Sequence, residues 1–256
     1  MAKQDLLFYN EYEEFYSMAS NNNIFHRYCE KVFGGDFSQD GFSDVTQIDD
    51  ILELVDLKEN QVILDVGCGN GKMLKYVHEK TGAITYGFDY SENAIAYANN
   101  IVNSNKEAFH FETGLIGEIQ YAENMFDLIT SIDTIYFAEN MSIFINHILS
   151  WLKPKGYFIC AYQEGDIKAK SKDKDHSELA LIFRKMGIEY KTLDYSKRAY
   201  DLLKHKRAVI ESMKDEFLEN DLKSWYDCSM TQSISSNISY KEFLSANSRY
   251  IYIVKE

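Results

Sequence analysis

The sequence predicts an α/β fold whose mostly parallel sheet carries helices on both faces. Between about residues 44 and 163, short apolar runs alternate with helical segments, which is the rhythm of parallel strands joined by crossover helices. These runs are apolar almost throughout, as is typical of strands that are covered on both faces. Hydrophobic residues make up 45% of the 256 positions, which is enough for a substantial core.

The first half of this region contains a helix, a strand, a second helix and a second strand. The segment Val45–Val55 places its apolar side chains on one side of a helix, and the buried strand Gln61–Asp65 follows. A glycine-rich loop leads into a helix over about 72–80, and the strand Ala83–Asp89 comes next. Ser91 has the residue type of an N-cap, so we expect a helix to begin there.

The second half repeats the alternation. Strands are predicted at Phe109–Phe111 and Phe126–Ile132, and apolar residues between 141 and 152 recur at the spacing of an amphipathic helix. A turn at Lys153–Gly156 then feeds the strand Tyr157–Tyr162. After a charged loop the sequence predicts three further elements: a strand at Ile188–Leu193, helices between about 197 and 222, and a terminal strand at Arg249–Lys255.

The charge and composition of the chain exclude several classes of partner. Asp and Glu number 40 against 27 Lys and Arg, a formal net charge of −13, which disfavours a nucleic-acid or anionic-membrane surface. No run approaches the roughly 18 apolar residues of a membrane span, and the N-terminal residues lack a signal-peptide pattern. The four cysteines form no C-x-x-C pair, so no metal site is indicated. We therefore expect a cytoplasmic protein that binds neither nucleic acid nor membrane, and the negative charge is compatible with a cationic small-molecule partner.

A loop with three alternating glycines follows the first buried strand. In a dinucleotide-binding loop the third glycine stands five positions after the first, whereas Gly71 stands four positions after Gly67. Lys72 is also a poor residue where a helix must pack closely on a strand. Asp65 lies just before the loop, where its charge would repel a phosphate and would suit a cationic or hydroxyl-rich ligand.

The segment Asp65–Gly71 resembles motif I of the class I S-adenosylmethionine-dependent methyltransferases. Gly87–Ser91 is similar to the end of that family's second strand, where an acidic residue accepts hydrogen bonds from both ribose hydroxyls. The resemblance implies that role for Asp89, and it places Tyr90 beside the adenine. It also implies S-adenosyl-L-methionine as cofactor and a Rossmann-like sheet of seven strands with an antiparallel last strand.

Two more segments carry the same resemblance. Phe126–Asp133 is similar to the family's fourth strand, whose end lies beside the transferable methyl group, and Leu152–Phe158 is similar to the turn before the fifth strand. Many relatives carry an acid that contacts the adenine amino group, but this sequence has Gly114-Leu115 there. The cofactor-binding residues that the resemblance implies are Asp65, Gly67, Cys68, Gly69, Gly71, Asp89, Tyr90, Gly114, Leu115, Ser131 and Ile132.

The segments outside the sheet are expected to select the acceptor. Residues 1–43 are predicted to form an N-terminal helical lid, and residues 44–256 a methyltransferase domain with a helical insertion at about 195–245. This arrangement resembles small-molecule methyltransferases of the phosphoethanolamine and sarcosine type. Aromatic rings can attract a sulfonium or ammonium group, although the tyrosine stripe of the lid also fits ordinary helix packing. The residues predicted to contact the acceptor are Tyr9, Tyr12, Tyr16, Asp133 and Tyr136.

Methyl transfer requires a general base only when the acceptor must lose a proton. The candidates are His26, in the predicted lid, and Asp133, at the carboxyl end of the fourth strand, where ligands of parallel sheets bind. Asp133 could act as the base, orient the acceptor or contact the ammonium group of the cofactor, and the sequence does not rank these roles.

The predicted function is S-adenosylmethionine-dependent methyl transfer to a small-molecule acceptor by in-line displacement, with an N, O or C atom as the recipient. One alternative is an NAD-dependent oxidoreductase, which the glycine spacing and Lys72 disfavour. A second alternative is a non-catalytic regulatory protein that binds S-adenosylmethionine. The sequence leaves the oligomeric state open, a homodimer included.

Overall fold

The fold is a single twisted sheet of seven strands, seen in a computed structural model that describes residues 6–39, 41–102 and 105–256. The strands are β1 (Val62–Val66), β2 (Ile84–Asp89), β3 (Phe109–Thr113), β4 (Phe126–Ile132), β5 (Leu152–Glu164), β6 (Tyr190–Asp194) and β7 (Ser248–Lys255). They lie in the order β3-β2-β1-β4-β5-β7-β6. Neighbouring strands from β3 to β5 are parallel, and β7 is antiparallel to both β5 and β6. The predicted fold class is therefore confirmed.

The helices begin where the sequence offers capping side chains. Ser91 Oγ accepts a hydrogen bond from the Ala94 amide, so the predicted N-cap is confirmed, and Asp44 caps its own helix in the same way. The helices are α1 (Tyr9–Ala19), α2 (Asn23–Phe33), α3 (Val45–Val55), α4 (Lys72–Thr81), α5 (Glu92–Ile101), α6 (Met141–Trp151), α7 (Glu178–Met186), α8 (Ser196–Ser212), α9 (Lys214–Glu219), α10 (Lys223–Gln232) and α11 (Tyr240–Ala246). None of the helices described here is long and apolar enough to cross a membrane.

The core has one apolar layer on each face of the sheet and a third cluster outside it. Successive residues of β1 point to opposite faces, so Ile63 packs with the layer that includes α3, α4 and α5, and Leu64 packs with the layer of α6 and α7. The third cluster joins α1 and α2 to α8, α9 and the start of α10, through residues such as Phe25 and Phe217. The N-terminal helices and the helical insertion thus share one hydrophobic core.

The starts of two strands differ from the prediction by more than one residue. β5 begins at Leu152, although a turn was predicted at Lys153–Gly156. Phe126 of β4 pairs with Leu152 and Leu128 pairs with Tyr157, so the predicted turn is a bulge inside the strand. β6 begins at Tyr190 rather than Ile188, because the Ile188 amide donates to Phe183 O and still belongs to the end of α7.

A buried ion pair connects the end of β4 to β7. Arg249 Nη1 donates to both carboxylate oxygens of Asp133, at 2.5 and 2.7 Å, and Nη2 donates to Ser43 Oγ at 2.8 Å. The Arg249 side chain is only 1% exposed. Asp133 itself has a positive φ of 59° and donates its amide to Ala161 O, so the chain turns sharply after β4 and remains attached to β5.

Replacing Arg249 by Met should lower the free energy of unfolding by about 3–5 kcal/mol, because Asp133 would be left as a buried charge without its partner. Urea denaturation at pH 7 measures this change. Lys255→Met, at the exposed end of the same strand, should change it by less than about 1 kcal/mol. Adding Asp133→Asn to Arg249→Met should recover part of the loss. Equal losses for the Arg249 and Lys255 variants would contradict this role for the ion pair.

Candidate active site

A cavity of about 660 Å³ opens at the carboxyl ends of β1, β2 and β4, and its volume is that of a small-molecule pocket. The glycine loop after β1, the segments after β2, β3 and β4, and parts of the N-terminal segment form its walls. Most of the predicted site residues line it: Asp65, Gly67, Cys68, Gly69, Asp89, Tyr90, Gly114, Leu115, Ile132, Asp133, Tyr12, Tyr16 and Tyr136.

The glycine loop folds back against the end of β2. Gly67 and Gly69 have φ values of 77° and 53°, in the left-handed region that glycine adopts without steric cost. The amides of Gly67 and Cys68 both donate to Phe88 O, at 2.9 and 3.0 Å. The Gly69 amide donates to the Asp89 carboxylate at 2.9 Å. The first amides of the loop are therefore bonded within the protein.

Asp89 closes this arrangement and also faces the cavity. One carboxylate oxygen accepts from the Gly69 amide and the other from the Ser91 amide, which leaves each oxygen with further acceptor capacity. Burial raises the pKa of Asp89 to about 6, although the hydrogen bonds from Ser91 and Gly69 act in the opposite direction. A carboxylate in this position can accept hydrogen bonds from two hydroxyl groups of a ligand.

Asp65 is a second buried carboxyl group on the cavity wall. It lies on β1 between Gly87 of β2 and Thr130 of β4, and it accepts a hydrogen bond from Thr130 Oγ1 at 2.7 Å. Burial, together with the nearby Asp89 carboxylate, raises the pKa of Asp65 to about 7, although the hydrogen bond from Thr130 acts in the opposite direction. A cationic ligand that entered the cavity would favour the ionised form of both groups.

Aromatic rings of the N-terminal helix cover the loop. A Cβ atom on Gly69 would lie 2.3 Å from the hydroxyl of Tyr16, so this ring contacts the loop backbone directly. The ring centroid of Tyr12 lies 6.2 Å from that of Tyr16 and 6.0 Å from that of Tyr90. Three rings that line the cavity therefore lie close together beside the glycine loop. A positively charged ligand would be attracted to them.

Four predicted residues do not line the cavity. A Cβ on Gly71 would lie 2.8 Å from the Phe111 ring, so this glycine serves the packing of β3 and α5. Ser131 is fully buried and bonds to Thr134 Oγ1, and Tyr9 packs edge-on against Tyr90 with a centroid distance of 5.5 Å. His26, the fourth, belongs to α2 and is not part of the cavity lining.

The position of His26 argues against a role as general base in this cavity. Its Nε2 atom lies 2.7 Å from Ala19 O, and because a carbonyl oxygen can only accept, Nε2 carries the proton. Its Nδ1 atom lies 3.8 Å from the Asp36 carboxylate. Both ring nitrogens are thus directed at other parts of the N-terminal segment.

Asp133 lines the cavity, but Arg249 occupies both of its carboxylate oxygens. Burial raises the pKa of Asp133, although the guanidinium group of Arg249 acts in the opposite direction. Of the roles that the sequence left open, this geometry favours orientation of neighbouring groups over proton transfer.

Two residues of the glycine loop that the sequence did not mark as functional bind the segment after α2. Asn70 Nδ2 donates to the carbonyl oxygens of Phe37 and Ser38, at 3.1 and 3.3 Å. Lys72 Nζ donates to Asp36 and to Ser38 Oγ, both at 2.6 Å. The segment after α2 is therefore anchored to the loop. Residues 1–5 and residue 40 of the predicted lid lie outside the described residues.

The wall contributed by the segment after β4 was also missed, apart from Asp133 and Tyr136. It includes Thr134, Phe137, Glu139 and Asn140, which follow no periodic pattern in the sequence. Among the residues described here, no three or more His, Cys, Asp or Glu side chains are grouped so that they could hold a metal ion.

A protein-family model described as a methyltransferase domain matches residues 57–231 of the chain. A phosphoethanolamine N-methyltransferase of Triticum aestivum is 28% identical over 216 residues, which cover 77% of this chain and 41% of that protein. The phosphoethanolamine N-methyltransferase of Plasmodium falciparum is 36% identical over 129 residues, which cover 50% of this chain and 47% of that protein. The chain therefore spans less than half the length of these two relatives.

The fold is similar to that of a solved structure, phosphoethanolamine N-methyltransferase 2 of Haemonchus contortus in complex with S-adenosyl-L-methionine. The TM-score is 0.76 at 20% identity, and the match covers 96% of this chain and 60% of that one. Identity at this level speaks for the fold alone. The family model, in contrast, covers well over half of the chain, and its region contains the glycine loop, Asp89 and the segment after β4. The chain therefore belongs to the class I S-adenosylmethionine-dependent methyltransferases.

Proposed function

We propose that this chain transfers the methyl group of S-adenosyl-L-methionine to a small-molecule acceptor bound in the same cavity. The observation that supports this most directly is the direction of the hydrogen bonds at the glycine loop. The loop amides donate to Phe88 and Asp89 inside the protein, while the carboxyl groups of Asp65 and Asp89 face the cavity. Such a surface suits hydroxyl donors and a positively charged ligand.

The same observation disfavours the NAD-dependent alternative. A pyrophosphate is usually held by free backbone amides at the start of a helix. In this loop the amides of Gly67, Cys68 and Gly69 are already bonded, and the Gly71 amide donates to Cys68 O. A dinucleotide would have to break these bonds and place its phosphates beside two carboxyl groups.

The residues on the cavity wall fit the parts of the cofactor. S-adenosyl-L-methionine supplies an electrophilic methyl group on a sulfonium. Asp89 would accept hydrogen bonds from the two ribose hydroxyls, and Tyr90 would flank the adenine next to the backbone of Gly114 and Leu115. Asp65 would offset positive charge on the methionine part.

The contribution of the protein to the reaction would be positioning and the exclusion of water. Tyr12 and Tyr16 cover the loop, and Asn70 and Lys72 hold the segment that follows α2 in place. Neither base candidate is placed for proton transfer, since Asp133 is paired with Arg249 and His26 is outside the cavity. This favours an acceptor atom that already offers a lone pair.

Calorimetric titration of the full chain with S-adenosylhomocysteine tests the proposal. We expect saturable binding at micromolar to millimolar ligand and no heat with NADH under the same conditions. Incubation with S-adenosyl-L-methionine and a mixture of small amines, alcohols and thiols should then yield S-adenosylhomocysteine. An absence of binding at millimolar S-adenosylhomocysteine would refute the proposal, and binding without turnover would favour the non-catalytic alternative.

The affinity for S-adenosylhomocysteine should be at least tenfold weaker at pH 5 than at pH 8. With a pKa of about 6, Asp89 is about nine-tenths protonated at pH 5 and ionised at pH 8. Asp89→Asn should bind weakly at both pH values and lose most of this dependence, whereas Glu189→Gln, on an exposed loop, should retain it. A wild-type affinity that does not change between these pH values would contradict ligand binding by Asp89.

The raised pKa values also predict how stability depends on pH without ligand. The folded chain holds protons on Asp65 and Asp89 that the unfolded chain releases near pH 4, so these groups stabilise the fold at low pH. This contribution should be lost as the pH rises through about 6 to 7. Asp65→Asn should reduce this loss in urea denaturation measured from pH 4 to pH 8. An unchanged profile would contradict the high pKa of Asp65.

Lys72→Met should speed the dissociation of S-adenosylhomocysteine by about tenfold or more, because a charge-assisted contact of about 1.5–3 kcal/mol would no longer hold the lid. Stopped-flow fluorescence measures the dissociation rate. Lys75→Met is the matched control. Lys75 lies three residues farther along α4 and pairs with Glu79 at the surface. Equal rates for the wild type and Lys72→Met would show that the anchor does not control the lid.

A further inference from the structure

We infer that the methyl acceptor carries no phosphate or other strong anion, and that it is a neutral or cationic molecule with an apolar body. This inference rests on the proposed function, because it concerns the part of the same cavity that the cofactor would leave for the acceptor. It narrows the class of acceptor, which the family and the fold leave open.

The charges on the cavity wall are of one sign. Five acidic residues line it, and the described residues of the lining include no lysine, arginine or histidine. The acids are Asp65, Asp89, Glu118, Asp133 and Glu139. Glu118 and Glu139 are exposed, so they stand at the rim, and the other three lie deeper. An anion would have to pass the acidic rim and would meet no cationic side chain among these residues.

Two cations close to the wall, Arg249 and Lys72, are already bonded to other groups. Arg249 does not line the cavity, and its Nη1 and Nη2 atoms donate to Asp133 and Ser43. Its Nε atom is buried and has no hydrogen-bond partner among the described residues. The positive charge of its guanidinium group is paired with the carboxylate of Asp133. Lys72 is directed at Asp36 and Ser38 on the lid segment. To bind a phosphate, Arg249 would have to give up a buried contact and Lys72 a partly buried one.

The remaining wall is largely apolar. Phe42, Ile116, Phe137, Ile143 and Phe144 contribute to it, and they come from the N-terminal segment, from the segment after β3, from the segment after β4 and from α6. A phosphate that moved into such surroundings would lose its hydration without gaining a cationic partner. An alkyl or aromatic body would bury apolar surface there, and an ammonium group would be attracted by the aromatic rings and the rim acids.

A comparison of the binding of two matched probes to the full chain tests this inference. The protein is first saturated with S-adenosylhomocysteine, and phenethylamine and phosphoethanolamine are then titrated separately by calorimetry. Both are primary amines, and they differ in whether the two-carbon chain ends in a phenyl ring or in a phosphate. We expect phenethylamine to bind at least tenfold more tightly. Phosphoethanolamine binding as tightly as phenethylamine, or no detectable binding of either, would overturn the inference.

A charge change at the rim provides the second arm. Glu139→Lys should strengthen phosphoethanolamine binding at least fivefold and weaken phenethylamine binding, because it places a cation on the cavity wall. Glu189→Lys makes the same charge change on an exposed loop outside the lining and should leave both affinities unchanged. Identical affinities for the wild type and Glu139→Lys would overturn the inference. The two proposals can be refuted independently. A lack of S-adenosylhomocysteine binding counts against the methyltransferase activity, whereas the ratio of the affinities for phenethylamine and phosphoethanolamine concerns the acceptor alone.

Discussion

The hydrogen bonds between the glycine loop and the end of β2 determine what the cavity can accept. Because the loop amides donate to Phe88 and Asp89, the loop offers the ligand carboxylate oxygens instead of free N–H groups. The positive φ values of the glycines make this geometry accessible. Asp65 and Asp89 place two carboxyl groups where β1 and β2 end, and a cationic ligand would favour the ionised form of both. The preference for a positively charged nucleoside over a pyrophosphate follows from these contacts.

The segment between α2 and α3 is held from two sides. Asn70 and Lys72 of the loop bind its first part, and Arg249 of β7 binds Ser43 near its end. Arg249, which makes the second attachment, also forms the ion pair with Asp133 after β4. One wall of the cavity is thus attached both to the glycine loop and to β7, so substitutions in β7 can alter the cavity without contacting a ligand.

The features that the sequence predicted are those that local patterns encode. The alternation of strands and helices, the N-cap Ser91 and the positions of Gly67, Gly69 and Asp89 depend on neighbours within a few residues. The bulge at the start of β5, the pairing of Asp133 with Arg249 and the direction of His26 depend on residues far apart in the chain. Gly71 belongs to the motif, but a side chain at this position would point at Phe111 instead of into the cavity. A motif does not specify that direction.

The core shared by α1, α2 and the helical insertion has a consequence for synthesis of the chain. Tyr28 and Ser229, which meet in this core, are 201 residues apart. The apolar faces of the first two helices therefore leave the ribosome long before their packing partners exist. Strands β1 to β5 can form local β-α-β units in the meantime, whereas the third cluster needs α8, α9 and α10, and β7 follows these helices in the chain. Until then the aromatic side chains of α1 and α2 are without these packing partners, and they are exposed to chaperones and to aggregation during folding.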